Sequence, residues 1–318
     1  MNRTHLAFVG AIAAAALAVT ACGSSSSTGS AASSSSVSSA PAAGSPAPAA
    51  GGGSITIGSA NFAESVLLMD VYAEALRAKG ITVTTKPKIG AREVYIPAIK
   101  DGSIDLIPEY SGTLLAYVDT TSKAASSADI YAALPAVLKP SGLEVLAQSQ
   151  AQDKDAIAVS AATAAKYSLK TIADLAAHAG SLIIGAGPEF KTRADGVAGL
   201  KSTYGVTFQT FKTLDSGGPL TVAALKNGQI DAADLFTTDP AVPAYKFVLL
   251  QDPKNLYTAQ NVLPLISSKK VTPTITSALN AVSAKLDTAT LTALDKQVYG
   301  GTDPDAVAKT WIKANGLG

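Results

Sequence analysis

Two aromatic side chains, Tyr110 and Phe236, hold equivalent places in an internal repeat. Ala98-Ile99-Lys100-Asp101-Gly102-Ser103-Ile104-Asp105 is echoed by Ala224-Leu225-Lys226-Asn227-Gly228-Gln229-Ile230-Asp231, and each copy reads as a helix end, a glycine cap and the start of a strand. Tyr110 and Phe236 stand five residues beyond the two strand aspartates, and Thr113 and Asp239 stand eight beyond. Open α/β sheets bind ligands beyond the carboxyl ends of their strands, so these positions are expected to face each other across a cleft between two lobes. Two rings from opposite jaws would clamp a small molecule. The plainer alternative is that each ring packs under its own loop.

Covalent and metal chemistry are poorly supplied by comparison. Cys22 is the only cysteine, and His5 and His178 are the only histidines. Cys/His zinc sites, Cys-His dyads and disulfides are therefore excluded, and neither metal nor cofactor is expected. A Ser-His-Asp triad would have to use His178, which sits in an alanine-rich helical stretch. An exported hydrolase built on an Asp155 and Asp239 pair lacks an evident proton-transfer partner. A non-catalytic clamp is the better reading.

The elements that must position the clamp are legible. Ser54 to Gly58 reads as a strand, Glu64 to Lys79 as an amphipathic helix stopped by Gly80, and Ile81 to Lys86 as a second strand. Ala161 to Tyr167 and Thr171 to Ala179 read as helices, the second opened by a Thr171/Asp174 capping pattern, and Leu182 to Gly185 as a short buried strand. Asp303-Pro304 opens a last helix to Asn315, on which Trp311 is a core anchor. Such alternation predicts two α/β lobes.

The N-terminal part predicts the compartment. Arg3 and His5 precede an apolar run from Leu6 to Val19, too short to span a membrane but apt for a signal segment. Val19-Thr20-Ala21-Cys22 ends it in the pattern of a bacterial lipobox, so residues 1–21 are expected to be removed and Cys22 lipidated. Residues 22–54, almost wholly Ser, Ala, Gly and Pro, read as a flexible tether with a reach of roughly 30 Å. Removing Arg3 from the 25 basic residues leaves 24 against 24 acidic ones, so nothing suggests a nucleic-acid partner. The expected location is the outer face of the cell membrane, lipid-anchored.

The residues around the repeat carry a family likeness. Asp105-Leu106-Ile107-Pro108-Glu109-Tyr110-Ser111-Gly112-Thr113 resembles the Asp-x-x-Pro-Glu-Tyr-Thr-Gly-Thr pattern of the ABC-transporter proteins that bind glycine betaine, choline, carnitine and proline betaine. Ile55 to Glu64 is similar to that family's opening strand and loop, Lys166 to Leu175 to its second-lobe entry, Arg193-Ala194-Asp195-Gly196 to its Arg-x-Asp-Gly segment, and Asp234 to Asp239 to its Asp-Ala-Tyr-Ser-Thr-Asp. The resemblance implies a type II periplasmic-binding-protein-like fold with a two-crossing hinge near Asp155 and Gln260. Its first lobe would hold residues 55–157 plus 261–318, and its second 158–260. Membrane permease subunits would be its partners.

In such proteins aromatic faces hold a quaternary ammonium, while arginine and hydroxyl donors fix any carboxylate. Carried over by position, Tyr110 matches the first of four cage tyrosines, Thr113 the nearby hydroxyl and Arg193 the carboxylate-binding arginine. The remaining positions depart from the pattern. Asp155 stands for the second tyrosine, Phe236 for the third and Gln260 for the fourth, Ser65 replaces a ligand-binding Gln, and Ala60 or Asn61 occupies an often basic place. Losing two rings forfeits ~1 to 4 kcal/mol of cation–π attraction. Asp155 either puts a point charge beside the ligand's cation, favouring a polar or N–H-bearing head, or pairs with Lys154 or the hinge. Arg193 either reaches ligand or gate, or pairs with Asp195. Arg92 and Glu93 either cap the first repeat helix or line the cleft. A binding protein for a different small polar solute is the rival reading.

Overall fold

The structure is a computed structural model that describes residues 52–318, and the expected signal segment, Cys22 and the tether to residue 51 lie outside them. Gly52 to Ser54, expected in the tether, instead begin the first strand. Backbone pairing with the second strand, Gly52 to Ile81 and Ser54 to Thr82, needs nothing from their small side chains. In chain order the strands are β1 (Gly52–Ala60), β2 (Ile81–Gly90), β3 (Leu106–Tyr110), β4 (Leu143–Val145), β5 (Asp155–Val159), β6 (Ile183–Ala186), β7 (Thr210–Thr213), β8 (Ala232–Phe236), β9 (Val248–Leu249) and β10 (Val262–Ser267).

They form two five-stranded sheets, in the orders β2-β1-β3-β10-β4 and β7-β6-β8-β5-β9. The second strand of each order, β1 or β6, runs parallel to both neighbours, while β10 and β5 run antiparallel to theirs. The two sheets thus share one topology, and the sequence repeat marks its matching parts. Asp105 donates its N–H to the Thr56 carbonyl at 2.7 Å and accepts the Thr56 N–H at 2.8 Å. Asp231 clasps Ile183 in the same two ways, both at 2.8 Å. Each repeat aspartate therefore fastens its own strand, β3 or β8, to the parallel strand beside it, β1 or β6.

Alternation along the strands supplies cores on both faces of each sheet. In β10, Val262 and Ile266 join a core with Leu67, Leu76, Leu279 and Trp311, whereas Leu263 and Leu265 face one with Ile96, Ile107 and Leu134. In β5, Ile157 and Val159 meet Leu175 and Leu200, while Ala158 faces Leu225 and Leu235. The C-terminal helices Pro273–Lys285, Thr288–Tyr299 and Pro304–Ala314 cover the first sheet, beside helix Ala63–Arg77. Between Thr171 and Ala179 the chain makes a 3-10 turn, Ile172–Ala177, where an α-helix was expected. The anticipated capping box of Thr171 and Asp174 is present.

Two segments cross between the lobes side by side, bridging at Gln152 and Asn261, with Asp153 donating to the Gln260 carbonyl at 3.2 Å. The first crossing ends before Asp155, because β5 pairs wholly within the second sheet. Residues 155–157, expected in the first lobe, therefore belong to the second. Gly112 sits against the other crossing, where a Cβ would lie 2.5 Å from the Ala259 carbonyl oxygen and 2.4 Å from Thr258 Oγ1. The repeat's Ser-Gly-Thr step thus admits the hinge backbone.

Candidate functional site

β3 ends at Tyr110 and β8 ends at Phe236, so the shared topology brings the two rings to the same cleft, one from each lobe. They do not meet directly. Phe62, the residue before helix Ala63–Arg77, lies between them, its ring 5.4 Å from Phe236 in a stacked arrangement and 6.0 Å from Tyr110 in a tilted one. The Tyr110 hydroxyl donates to buried Glu64, which anchors the ring in the first lobe. Phe236 is held from behind by Gly217, whose φ of +65° and 2.6 Å gap from an added Cβ to the ring both require glycine.

The polar wall comes from the signature after β3. Arg92 is buried and gives its Nε and Nη2 to both oxygens of buried Glu109, at 2.9 and 2.8 Å. The same Nη2 reaches Thr113 Oγ1 at 3.1 Å. Gln260 Oε1 accepts the Thr113 N–H at 3.0 Å and its hydroxyl at 3.3 Å, capping helix Ser111–Val118 from the second crossing. Arg92 thus lines the cleft instead of capping its own helix. Thr113 and Gln260 line it as well.

Across the mouth, Arg193 of the second lobe pairs with Glu93 of the first, Nε to Oε1 and Nη2 to Oε2, both at 3.0 Å. The alternative pairing of Arg193 with Asp195 is not the one formed. On the second lobe's floor the register sets Asp155 opposite Phe236 and Asp234 opposite Ile157. The two acids are therefore diagonal neighbours on one face of the sheet, and both line the cleft. Among the described residues neither forms a salt bridge, with Lys154 or any other cation, and Asp234 Oδ1 is buried without a protein donor. Asp153 accepts from Thr238 N and Thr237 Oγ1.

Two expected positions lie elsewhere. Ser65 is wholly buried and its Oγ accepts the Ala60 N–H at 2.9 Å, so it shapes the opening loop and does not line the cleft. Asp239 accepts from Ala241 N at 2.7 Å and is also absent from the cleft wall, so the Asp155 and Asp239 pair weighed for a hydrolase is not brought together there.

The electrostatics favour a positive guest. Burial lifts the Asp234 carboxyl well above the usual carboxylate range, and the charge of Asp155 lifts it further. Burial also pushes Asp155 up to about 6, with Asp195 adding and Arg193 and Arg92 opposing. Beneath Tyr110 a second acidic group bridges the lobes. Glu64 accepts from Tyr110 and, at 2.9 Å, from Thr238 Oγ1 of the second lobe, and burial and then Asp295 raise it well above its ordinary value.

Phe62 and Asp234 are among the lining residues that the sequence left without a role. Phe62 stands in the opening loop already tied to the site, where an aromatic beside a helix start was the available signal. Asp234 belonged to a quoted motif, but its place beside Asp155 depends on strand register.

Two α/β lobes of one topology, joined by paired crossings and closing on a cleft lined from both sides, define a solute-binding protein of the kind that serves membrane importers. The chain belongs to the family described as the substrate-binding domain of ABC-type glycine betaine transport systems, which it matches over residues 53–314. It is thus the solute-binding component of an ABC importer and partner of that importer's permease, acting outside the cytoplasm in a family of transport proteins, not of enzymes. It is 26% identical to the glycine-betaine-binding protein of Pseudomonas aeruginosa over 278 residues, covering 83% of this chain and 88% of that one. It is 27% identical to the glycine betaine-binding protein YehZ of Escherichia coli over 276 residues, 82% and 90% of the two chains. The crystal structure of a glycine betaine/carnitine/choline ABC transporter protein superposes with a TM-score of 0.64 at 22% identity, covering 83% of this chain and 99% of that one, which shows the common fold.

Proposed function

We propose that this chain captures a small alkylammonium solute of the osmoprotectant class, the class of glycine betaine and choline, between its lobes, while a lipid on Cys22 holds it at the membrane. The observation that carries the reading is the ring series Tyr110, Phe62 and Phe236, drawn from both lobes and set beside Asp155 and Asp234. An alkylammonium head is attracted by the negative faces of such rings at ~0.5 to 2 kcal/mol each, and nearby carboxylates add to that field. Relatives named for glycine betaine and carnitine support the same class. Thr113 and Gln260 shape the first-lobe wall, and Arg193 acts as a gate through Glu93. Support for the anchor is the Val19-Thr20-Ala21-Cys22 pattern and the small-residue stretch after it. A thermal-shift panel of glycine betaine, choline and carnitine tests the solute class. A ligand at ~100 times its dissociation constant stabilises by ~2.7 kcal/mol, and a panel without any shift rejects the reading.

A further inference from the structure

We infer that, among alkylammonium solutes, this cleft selects a cation that donates N–H hydrogen bonds and carries no carboxylate, an inference that rests on the cleft being the solute site proposed above. The argument is a count of which polar groups in the cleft are already engaged. The strong donors are its two arginines, and each presents its two-pronged edge to a glutamate: Arg92 to Glu109 at 2.9 and 2.8 Å, Arg193 to Glu93 at 3.0 and 3.0 Å. The hydroxyl donors of the first-lobe wall are spent as well, Thr113 on Gln260, Tyr95 on Glu109 and Tyr110 on Glu64, which leaves only the neutral amides of Asn61 and Gln260 as side-chain donors there. A solute carboxylate would have to displace one of these protein carboxylates to find a forked partner. It would also sit near Asp155, whose charge repels it.

The acceptors are in the opposite condition. Asp234 is 6% exposed, and its Oδ1 has no protein donor. Asp155, diagonal to it on the same sheet face, is in no ion pair among the described residues. Buried carboxylate oxygens demand donors, and a fully methylated ammonium has none to give. An N–H-bearing ammonium satisfies them while resting its remaining methyl groups on the stacked rings of Phe62 and Phe236, which carry no hydroxyl. Rings and acids together therefore describe a partly methylated amine better than a trimethylated one.

Four probes that vary only head and tail decide this by calorimetry at pH 7.5: choline, N,N-dimethylethanolamine, glycine betaine and N,N-dimethylglycine. The expected result is that dimethylethanolamine binds at least 10-fold tighter than choline and that each carboxylate-tailed partner binds at least 10-fold weaker than its alcohol. In Asp234→Asn and Asp155→Asn, each checked for a native melting transition, the advantage of dimethylethanolamine over choline shrinks to under 3-fold. Glycine betaine binding as tightly as the alcohols overturns the inference and leaves the proposed function standing. Choline matching dimethylethanolamine overturns the N–H requirement in the same way, and it does so on the unaltered protein whether or not the variants fold. Silence from all four probes removes the proposed solute class itself.

Discussion

Arg193 and Glu93 stand 100 residues apart in the chain and meet across the cleft mouth through two hydrogen bonds of 3.0 Å each. Arg193 follows the second lobe's glycine-rich loop, and Glu93 opens the first lobe's repeat helix Arg92–Lys100. The pair can form only when the lobes are closed. It joins the Thr238 to Glu64 hydrogen bond and the Phe62 to Phe236 stack as contacts that closure makes, and such closure-specific contacts are how a bound solute shifts the population of states.

The pair remains partly exposed, with 23% and 44% of the two side chains accessible, so its contribution is modest, ~0.2 to 1 kcal/mol. Glu93→Gln should weaken solute affinity about 1.5- to 5-fold through faster release. Arg193→Ala should cost a similar factor. Stopped-flow release rates at low and high salt check both, since an arginine that gripped the solute directly would cost about 100-fold when removed and Glu93→Gln would not.

Phe62→Ala should reduce affinity about 10-fold or more, because it removes one cation-facing ring and the stack on Phe236 together, ~0.5 to 1.5 kcal/mol for the ring pair plus its share of cation–π attraction. Phe62→Tyr should retain most of the binding. Calorimetric titration with whichever solute binds the unaltered protein reads the difference.

A cationic solute favours ionised Asp155, whose carboxyl sits at about 6 in the closed protein. Affinity should therefore hold above pH 7 and decline as pH falls through about 6, and binding near pH 6 should release protons to the buffer. Titrations in two buffers of unlike ionisation enthalpy measure that release. Asp155→Asn should diminish it.

Asp295 is buried, both its carboxyl oxygens lack a protein donor, and burial pushes it up to about 7. A carboxyl raised on folding contributes stability below its unfolded value near 4, and loses it as pH rises through its folded one. The protein should thus melt at lower temperature at pH 8 than at pH 5. Asp295→Asn should recover several degrees at pH 8 and little at pH 5, a difference that scanning calorimetry resolves.

Cys22→Ala in the full chain should shift the protein from the membrane fraction to the soluble fraction or medium of an expressing bacterium. Retention of the variant on membranes would count against the lipid anchor.

Much of the site was written in adjacent residues. Tyr110, Thr113 and Glu109 lie within one short motif, and the repeat that pairs Tyr110 with Phe236 follows from counting, because each repeat aspartate clasps the equivalent parallel strand, β1 or β6, of its own sheet. Other features depended on separations the sequence does not express. Arg92 could be read as a helix cap because nothing local shows that Glu109, 17 residues on, folds back beneath it. Ser65 looked like a ligand contact by position, but the turn of the opening loop sets its Oγ to accept the Ala60 N–H.

The sequence by itself determined the two α/β lobes, the repeated unit of helix end, glycine cap and strand in each, the scarcity of cysteine and histidine, and the aromatic residue five places beyond each repeat aspartate. These follow from periodicity, composition and repetition, which act over a few residues. The tertiary structure decided which of the lining groups remain available. Strand register placed Asp155 beside Asp234, chain crossing brought Gln260 onto Thr113, and lobe closure turned Arg193 to Glu93 and slid Phe62 between Tyr110 and Phe236. A side chain's charge is local, but whether that charge is already answered depends on partners that only the folded, closed chain brings within hydrogen-bond reach.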